Sequence, residues 1–193
     1  LAIPHGKCAG MASGIGLACA RRYAAEGAVV VGIDRNVSDD WSSVEATAPH
    51  SRFHQLDVTD SAAQQAAVEA TVREFGRIDI LLTAAGVGDG GPVGMLDEAT
   101  WDRVIDINLF GVMAGSRYAG QYMSQHGGGV IINNASLAGI VPGHALMTYR
   151  ATKAAIILVS KSIAIDLAEY GIRVNCLAPG HIRTPLTSFA MPG

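Results

Sequence analysis

Four short apolar runs rich in β-branched residues punctuate the chain: Ala28 to Ile33 (AVVVGI), Ile78 to Ala84 (IDILLTA), Val130 to Asn134 (VIINN) and Gly171 to Leu177 (GIRVNCL). A fifth, shorter candidate runs from Arg52 to Leu56. Mostly apolar runs of this length suit strands of a sheet. Between them lie alanine-rich stretches with helical spacing, such as the one carrying Leu17, Ala20 and Ala24 and ending near Glu26. Strands alternating with helices fold as a parallel sheet with right-handed crossovers. The expected fold is therefore α/β, a doubly wound parallel sheet. A chain of 193 residues fits one domain with a substantial core.

The helices are read in the same way. Asp60 or Thr59 caps a helix to about Phe75 that carries Ala63, Ala67, Ala70 and Val72. Thr100 to Gln125 reads as one long helix with Asn108 on or beside its apolar stripe, equally a core asparagine or a functional one. Met147 to Ala168 reads as another.

Gly10, Gly14 and Gly16 in AGMASGIG precede the first helix. Glycines there let the backbone turn tightly and approach a diphosphate, whose charge the helix N-terminus stabilises. Such a turn should follow a buried strand, and Pro4 and Gly6 interrupt LAIPHGKC. The first strand is therefore expected to be deleted in part between Lys7 and Ala9. Asp34 ends the AVVVGI run about 20 residues beyond the glycines, where a dinucleotide-binding unit holds its adenosine ribose hydroxyls. An acid there repels a 2′-phosphate, and Met11 to Ser13 offers no base to receive one, so NAD is expected rather than NADP. Arg35 reads either as a phosphate partner or as a solvated surface residue. Asp57 reads either as a turn acid or as an adenine ligand. The glycine-rich loop from Val87 to Gly94 is either a place where a ligand passes close to the backbone or an exposed loop.

Ser136 lies just past the VIINN run, and Tyr149-x-x-x-Lys153 falls on the Met147 helix. A four-residue step places phenol and ammonium on one helix face. A cation about 4 Å from a phenol contributes roughly 4 kcal/mol at an effective dielectric of about 20, enough to bring its pKa from about 10 toward neutrality. Tyr149 is then a candidate acid/base, and Ser136 a hydrogen-bond donor to the same substrate oxygen. Taken alone, the Tyr-Lys pair also fits ordinary helix packing.

A formal charge of -3 leaves no basic footprint for nucleic acid. Cys8, Cys19 and Cys176 form no Cys-x-x-Cys pair, which suits reduced thiols in a cytoplasmic protein. The six histidines lack ligand spacing on a helix, so no metal is expected. No apolar run approaches the roughly 18 residues of a membrane span, and a basic-then-apolar leader pattern is missing.

Together these residues resemble the short-chain dehydrogenase/reductase family, in its simple dehydrogenase/reductase branch. The resemblance rests on Gly10-x-x-x-Gly14-Ile15-Gly16, Asp34, Asp57, Ala85-Gly86, Asn108, Ser136, Tyr149, Lys153, Asn175 and Pro179-Gly180-x-Ile182-x-Thr184-Pro185, all in the family's order. It implies a Rossmann-like NAD(P)-binding domain over residues 1–193 that moves a hydride between C4 of the nicotinamide and a secondary alcohol carbon. Tyr149 is implied as acid/base, Lys153 as the group that lowers its pKa and binds the nicotinamide ribose, Ser136 as substrate-orienting, and Asn108 as holder of a relay water. Ile182 and Thr184 are implied to contact the nicotinamide carboxamide. Gly10, Ser13, Gly14, Ile15, Gly16, Asp34, Arg35, Asp57, Val58, Ala85, Gly86, Pro179 and Gly180 would line the rest of the cofactor.

The sequence departs from the family at Ala9, where Thr is usual, and at Thr83-Ala84, where Asn-Asn is usual. Members usually continue through a substrate-covering helix, another helix and a last strand, so the chain reads as part of a longer protein. A dimer or tetramer packed through helices 100–125 and 148–169 is also implied. Loop residues expected near substrate, Met95, Leu96, Val141, Pro142, Leu146 and Met147, are mostly apolar, which fits a hydrophobic ketone or plain core packing alike. The alternative to an enzyme is a catalytically inactive NAD-binding scaffold or sensor.

Overall fold

The computed structural model describes residues 5–190. Strands β1 (His5–Ala9), β2 (Val29–Asp34), β3 (Arg52–Gln55), β4 (Ile80–Thr83), β5 (Gly129–Asn134) and β6 (Ile172–Leu177) form one sheet in the order β3-β2-β1-β4-β5-β6. Every pairing is parallel. Helices α1 (Gly14–Ala25), α2 (Ser42–Glu45), α3 (Ser61–Phe75), α4 (Glu98–Ile105), α5 (Gly111–Gln125) and α6 (Met147–Leu167) supply the crossovers.

The two faces of the sheet are covered separately, and adjacent leucines of β4 show how. Leu82 packs with Met11, Leu17, Ala20, Val30 and Trp41 under α1 and α2, whereas Leu81 packs with Val68, Ala119, Met123 and Ile131 under α3 and α5. Burying each such side chain stabilises the fold by roughly 1.5–3 kcal/mol. Asp60 caps α3 by accepting from Ala63 N at 2.9 Å, as expected. The short α2 was not foreseen; its preceding Trp41 is buried against Phe53, ring centroids 5.2 Å apart.

Two expectations are corrected. The first strand is present, not deleted between Lys7 and Ala9. His5–Ala9 pairs with β2, from His5 opposite Val29 to Ala9 opposite Ile33, and with β4, from Gly6 opposite Ile80 to Ala9 opposite Thr83. A strand bonded on both sides is defined by its backbone, so Gly6 removes nothing from the ladder. Pro4 precedes the strand and lies outside the described residues.

The expected single helix from Thr100 to Gln125 instead contains a π turn, Asp106–Phe110, between α4 and α5. The chain stays helical through both junctions, but the wider turn carries Asn108 inward, where it is fully buried. Insertions of this kind are concentrated at functional sites.

Candidate active site

At the carboxyl ends of β1 and β4, neighbouring connections depart toward opposite faces of the sheet, and the resulting crevice is where doubly wound folds bind ligands. The glycine turn forms one wall. Gly10 has φ +80, and a Cβ on it would collide with the backbone at Ala84 and Ala85; a Cβ on Gly16 would run into the Gly10 carbonyl. Gly10 N donates to Ile33 O at 2.8 Å, fastening the turn to the end of β2. Ser13, before α1, makes no side-chain capping bond, so the first-turn N–H groups lack a side-chain cap. Asp34 closes the far end: its carboxylate accepts from Ala12 N at 3.0 Å and from Asn36 N at 2.9 Å.

One cleft gathers nearly every residue expected from sequence. Gly10, Ser13, Gly14, Ile15, Gly16, Asp34, Arg35, Asp57, Val58, Ala85, Gly86, Ser136, Tyr149, Lys153, Pro179, Gly180, Ile182 and Thr184 all line it. Asn108 does not. It lies behind the wall, accepting from Val87 N at 2.8 Å while donating to Val87 O at 2.9 Å and to Thr152 Oγ1 at 3.3 Å. Asp57 makes a local turn, accepting from Thr59 N and Oγ1, both at 2.9 Å, in keeping with the turn-acid reading. Thr83 fills the place of the family's usual asparagine by donating to Asn133 Oδ1 at 2.8 Å.

Ser136 leaves β5 and caps the 3-10 turn Leu137–Gly139 by accepting from Ala138 N at 3.1 Å. Its hydroxyl proton remains available to a ligand. Lys153 is almost wholly buried and donates to Asn134 O at 2.8 Å, with Nζ 5.6 Å from the centre of the Tyr149 ring. Burial pushes the Lys153 pKa down to about 8, partly opposed by nearby Cys176. Its ammonium form therefore still predominates near neutrality.

The sequence reading missed several residues of the cleft, among them Asn36, Ile107, Asn134 and Leu186. Asn134 is the most informative, because its Oδ1 is buried in this wall without a hydrogen-bond partner. Strand alternation was the available signal: Asn134 is two residues before Ser136. Of the loop residues expected near substrate, none lines the cleft; Val141, Pro142 and Met147 line an adjoining groove with Arg150. No cluster of three potential metal ligands occurs among the described residues.

The family model described as short chain dehydrogenase matches residues 8–192. This chain belongs to that family. The short-chain dehydrogenase is 44% identical to galactitol 2-dehydrogenase of Agrobacterium fabrum over 173 residues, 89% of this chain and 67% of the relative. It is 37% identical to D-threitol dehydrogenase of Mycolicibacterium smegmatis over 187 residues, 95% of this chain and 72% of the relative. Among solved structures it resembles NAD+-bound xylitol dehydrogenase, with a TM-score of 0.89 at 34% identity, covering 92% of this chain and 70% of the other. Levodione reductase superposes with a TM-score of 0.90 at 34% identity, covering 97% and 75%. The protein is thus an oxidoreductase of alcohol or ketone substrates, acting at CH–OH groups.

Proposed function

We propose that this dehydrogenase is one cofactor-binding domain over residues 1–193 that transfers a hydride between NAD(H) and a secondary alcohol or its ketone, with Tyr149 as acid/base. The observation that carries the reading is the convergence of Ser136, Tyr149 and Lys153 on the cleft that also holds the glycine turn and Asp34. The cleft suits a dinucleotide. The backbone at Gly10 and Gly16 leaves no room for side chains, and the first turn of α1 has no side-chain cap to compete for an anion. The partnerless Asn134 Oδ1 awaits a donor. Asp34 has lone pairs left for ribose hydroxyls and opposes a 2′-phosphate, which supports NAD over NADP despite Arg35 nearby.

A bound nicotinamide accepts or supplies the hydride at its C4. In the oxidising direction Tyr149 takes the hydroxyl proton while the Ser136 hydroxyl donates to the substrate oxygen. Lys153, charged at neutrality, stands beside the Tyr149 ring and would meet the nicotinamide ribose. Asn108 acts from behind the wall by fixing Val87, the route by which it would support a proton relay. Ile182 and Thr184 face the carboxamide end, and Gly14, Ile15, Val58, Ala85, Pro179 and Gly180 complete the enclosure.

The test follows absorbance of reduced nicotinamide over a panel of polyols, cyclic alcohols and apolar ketones, wild type against Tyr149→Phe. Turnover by the wild type alone supports the reading. Cofactor binding with no turnover of any substrate favours the scaffold alternative.

Self-association is inferred from the π turn, α5 and α6, which expose Phe110, Met113 and Leu158 (67%) along a shared groove. A dimer or tetramer mass in solution is the expected result. A cytoplasmic setting is supported by Cys19 and Cys176 standing as free thiols. No helix among the described residues is long and apolar enough to cross a membrane.

A further inference from the structure

The loop after β4 is tied to the catalytic helix by a residue with no assigned role. Asp89 is 3% exposed and uses both carboxylate oxygens on α6: Oδ2 accepts from Thr148 N at 2.8 Å and Oδ1 from Tyr149 N at 3.0 Å. The first-turn N–H groups of a helix have no partner within it and are normally met by the residue just before. Here that residue is Leu146, which has no capping side chain and is left-handed, φ 57, as is Ala145, φ 53. Side-chain-bearing residues hold that conformation only when their surroundings fix it. The fixing group comes from 59 and 60 residues away in sequence. A carboxylate there also complements the positive end of the helix.

The carbonyl side of Tyr149 is held as well. Thr152 Oγ1 donates to Tyr149 O at 2.8 Å and accepts from Asn108 Nδ2 at 3.3 Å, while Asn108 grips Val87 through both its N–H and its carbonyl. Val87 lies two residues before Asp89, so the ring closes: Val87, Asn108, Thr152, Tyr149, Asp89. Gly86 and Val87 line the cleft, and the Lys153 ammonium lies 3.5 Å from where a Gly86 Cβ would stand. A displacement of this loop is therefore transmitted to the backbone of Tyr149.

We propose that Asp89 is a positioning residue for Tyr149, fixing the main chain from which the phenol projects. The inference rests on the reading of Tyr149 as the acid/base. Misplacement by about 1 Å of a reacting group costs up to about 100-fold in rate. Asp89→Asn and Asp89→Ala are therefore expected to lower kcat by about 10- to 100-fold. Cofactor affinity should stay within about twofold, because Asp89 does not line the cleft.

A second readout needs no turnover. In protein labelled with carbon-13 at the tyrosine Cζ, the Tyr149 signal, identified by its loss in Tyr149→Phe, should move or broaden in Asp89→Asn while the other tyrosines hold. Unchanged kcat together with an unchanged Tyr149 signal overturns the proposal, as does a parallel loss of kcat and cofactor affinity. If neither Asp89 variant folds, Thr152→Val loosens the carbonyl side of Tyr149 instead. It should lower kcat severalfold at constant affinity, and full activity there overturns the proposal. A wild type that turns over no alcohol, with the Tyr149 signal still displaced in Asp89→Asn, defeats the functional reading and leaves the positioning intact. Activity lost in Tyr149→Phe but kept in both Asp89 variants does the reverse.

Discussion

Around the glycine turn main-chain bonds and close backbone contacts do most of the holding, with Asp34 adding a bond to Ala12 N, whereas across the cleft the segments 88–97 and 137–147 lean more on individual side chains, despite the backbone-bonded turn at 137–141. On the first side Gly10 and Met11 donate to Ile33 O, Met11 is fully buried, and the turn lies against Ala84 and Ala85 with no space for a Cβ. On the second, Arg150 donates to Ala145 O at 3.2 Å and Val141 O at 2.9 Å, and Asp89 holds the start of α6. Apolar side chains there stand in solvent, with Met95 80% and Ile140 61% exposed. A dinucleotide has the same shape for every member of a family, so its site can be built into the main chain. A rim held by a few side chains can be altered without disturbing the sheet.

The contrast is open to attack by mutation. The largest effect is expected for Gly16→Ala, whose new methyl meets the Gly10 carbonyl. NAD affinity should fall by about 1,000-fold, or about 4 kcal/mol, by isothermal titration. A loss under tenfold would show that the turn yields and is not rigid.

Next comes Lys153→Met, read as stability against pH. The Lys153 pKa, about 8 in the folded protein, lies below its ordinary 10.5, so the folded state holds fewer protons than the unfolded state between those values. Stability from this group therefore rises with pH across that window, by about 1.4 kcal/mol per unit and about 3 kcal/mol in all. Below pH 8 the burial cost is borne in full. Denaturant unfolding of wild type should gain on Lys153→Met by that amount from pH 8 to 10.5, and parallel curves would refute the burial argument.

Asp34→Ala comes third. It removes the acceptor for Ala12 N and Asn36 N and the proposed ribose partner, and should weaken NAD about tenfold to fiftyfold while narrowing the proposed preference over NADP. The smallest effect belongs to the rim. Ile140→Ser should change unfolding free energy by less than about 0.5 kcal/mol and leave NAD affinity alone, shifting only the KM for the alcohol. A cofactor effect from Ile140→Ser would erase the distinction between the two sides.

Legibility in sequence followed the same division. Strands β2, β4 and β5 announced themselves because buried parallel strands are largely apolar, the edge strand β6 through Ile172, Val174 and Cys176, the glycines because a diphosphate demands them at that spacing, and Asp34 because a ribose acceptor is expected about 20 residues further on. Ser136, Tyr149 and Lys153 were readable because two of them share a helix face. The first strand was not, since its pairing is made by main-chain groups on both sides and leaves little mark on residue choice. The π turn escaped because an apolar stripe absorbs one extra residue without losing its period. Asp89 escaped because an aspartate among glycines looks like loop chemistry, and its partners are 59 and 60 residues away. Asn134 was passed over because it was read only as the end of an apolar run.

The central position of β1 bears on the order of assembly. Residues 5–9 emerge from the ribosome ahead of both their partners, and one flank of that strand has no neighbour until Ile80–Thr83 have been made. Until then a hydrogen-bonding edge stands open in the nascent chain, a template for mispairing that only later synthesis closes. A delay in translation before residue 80 should therefore raise the burden on chaperones more than one after residue 134, when β5 already covers the far side of β4.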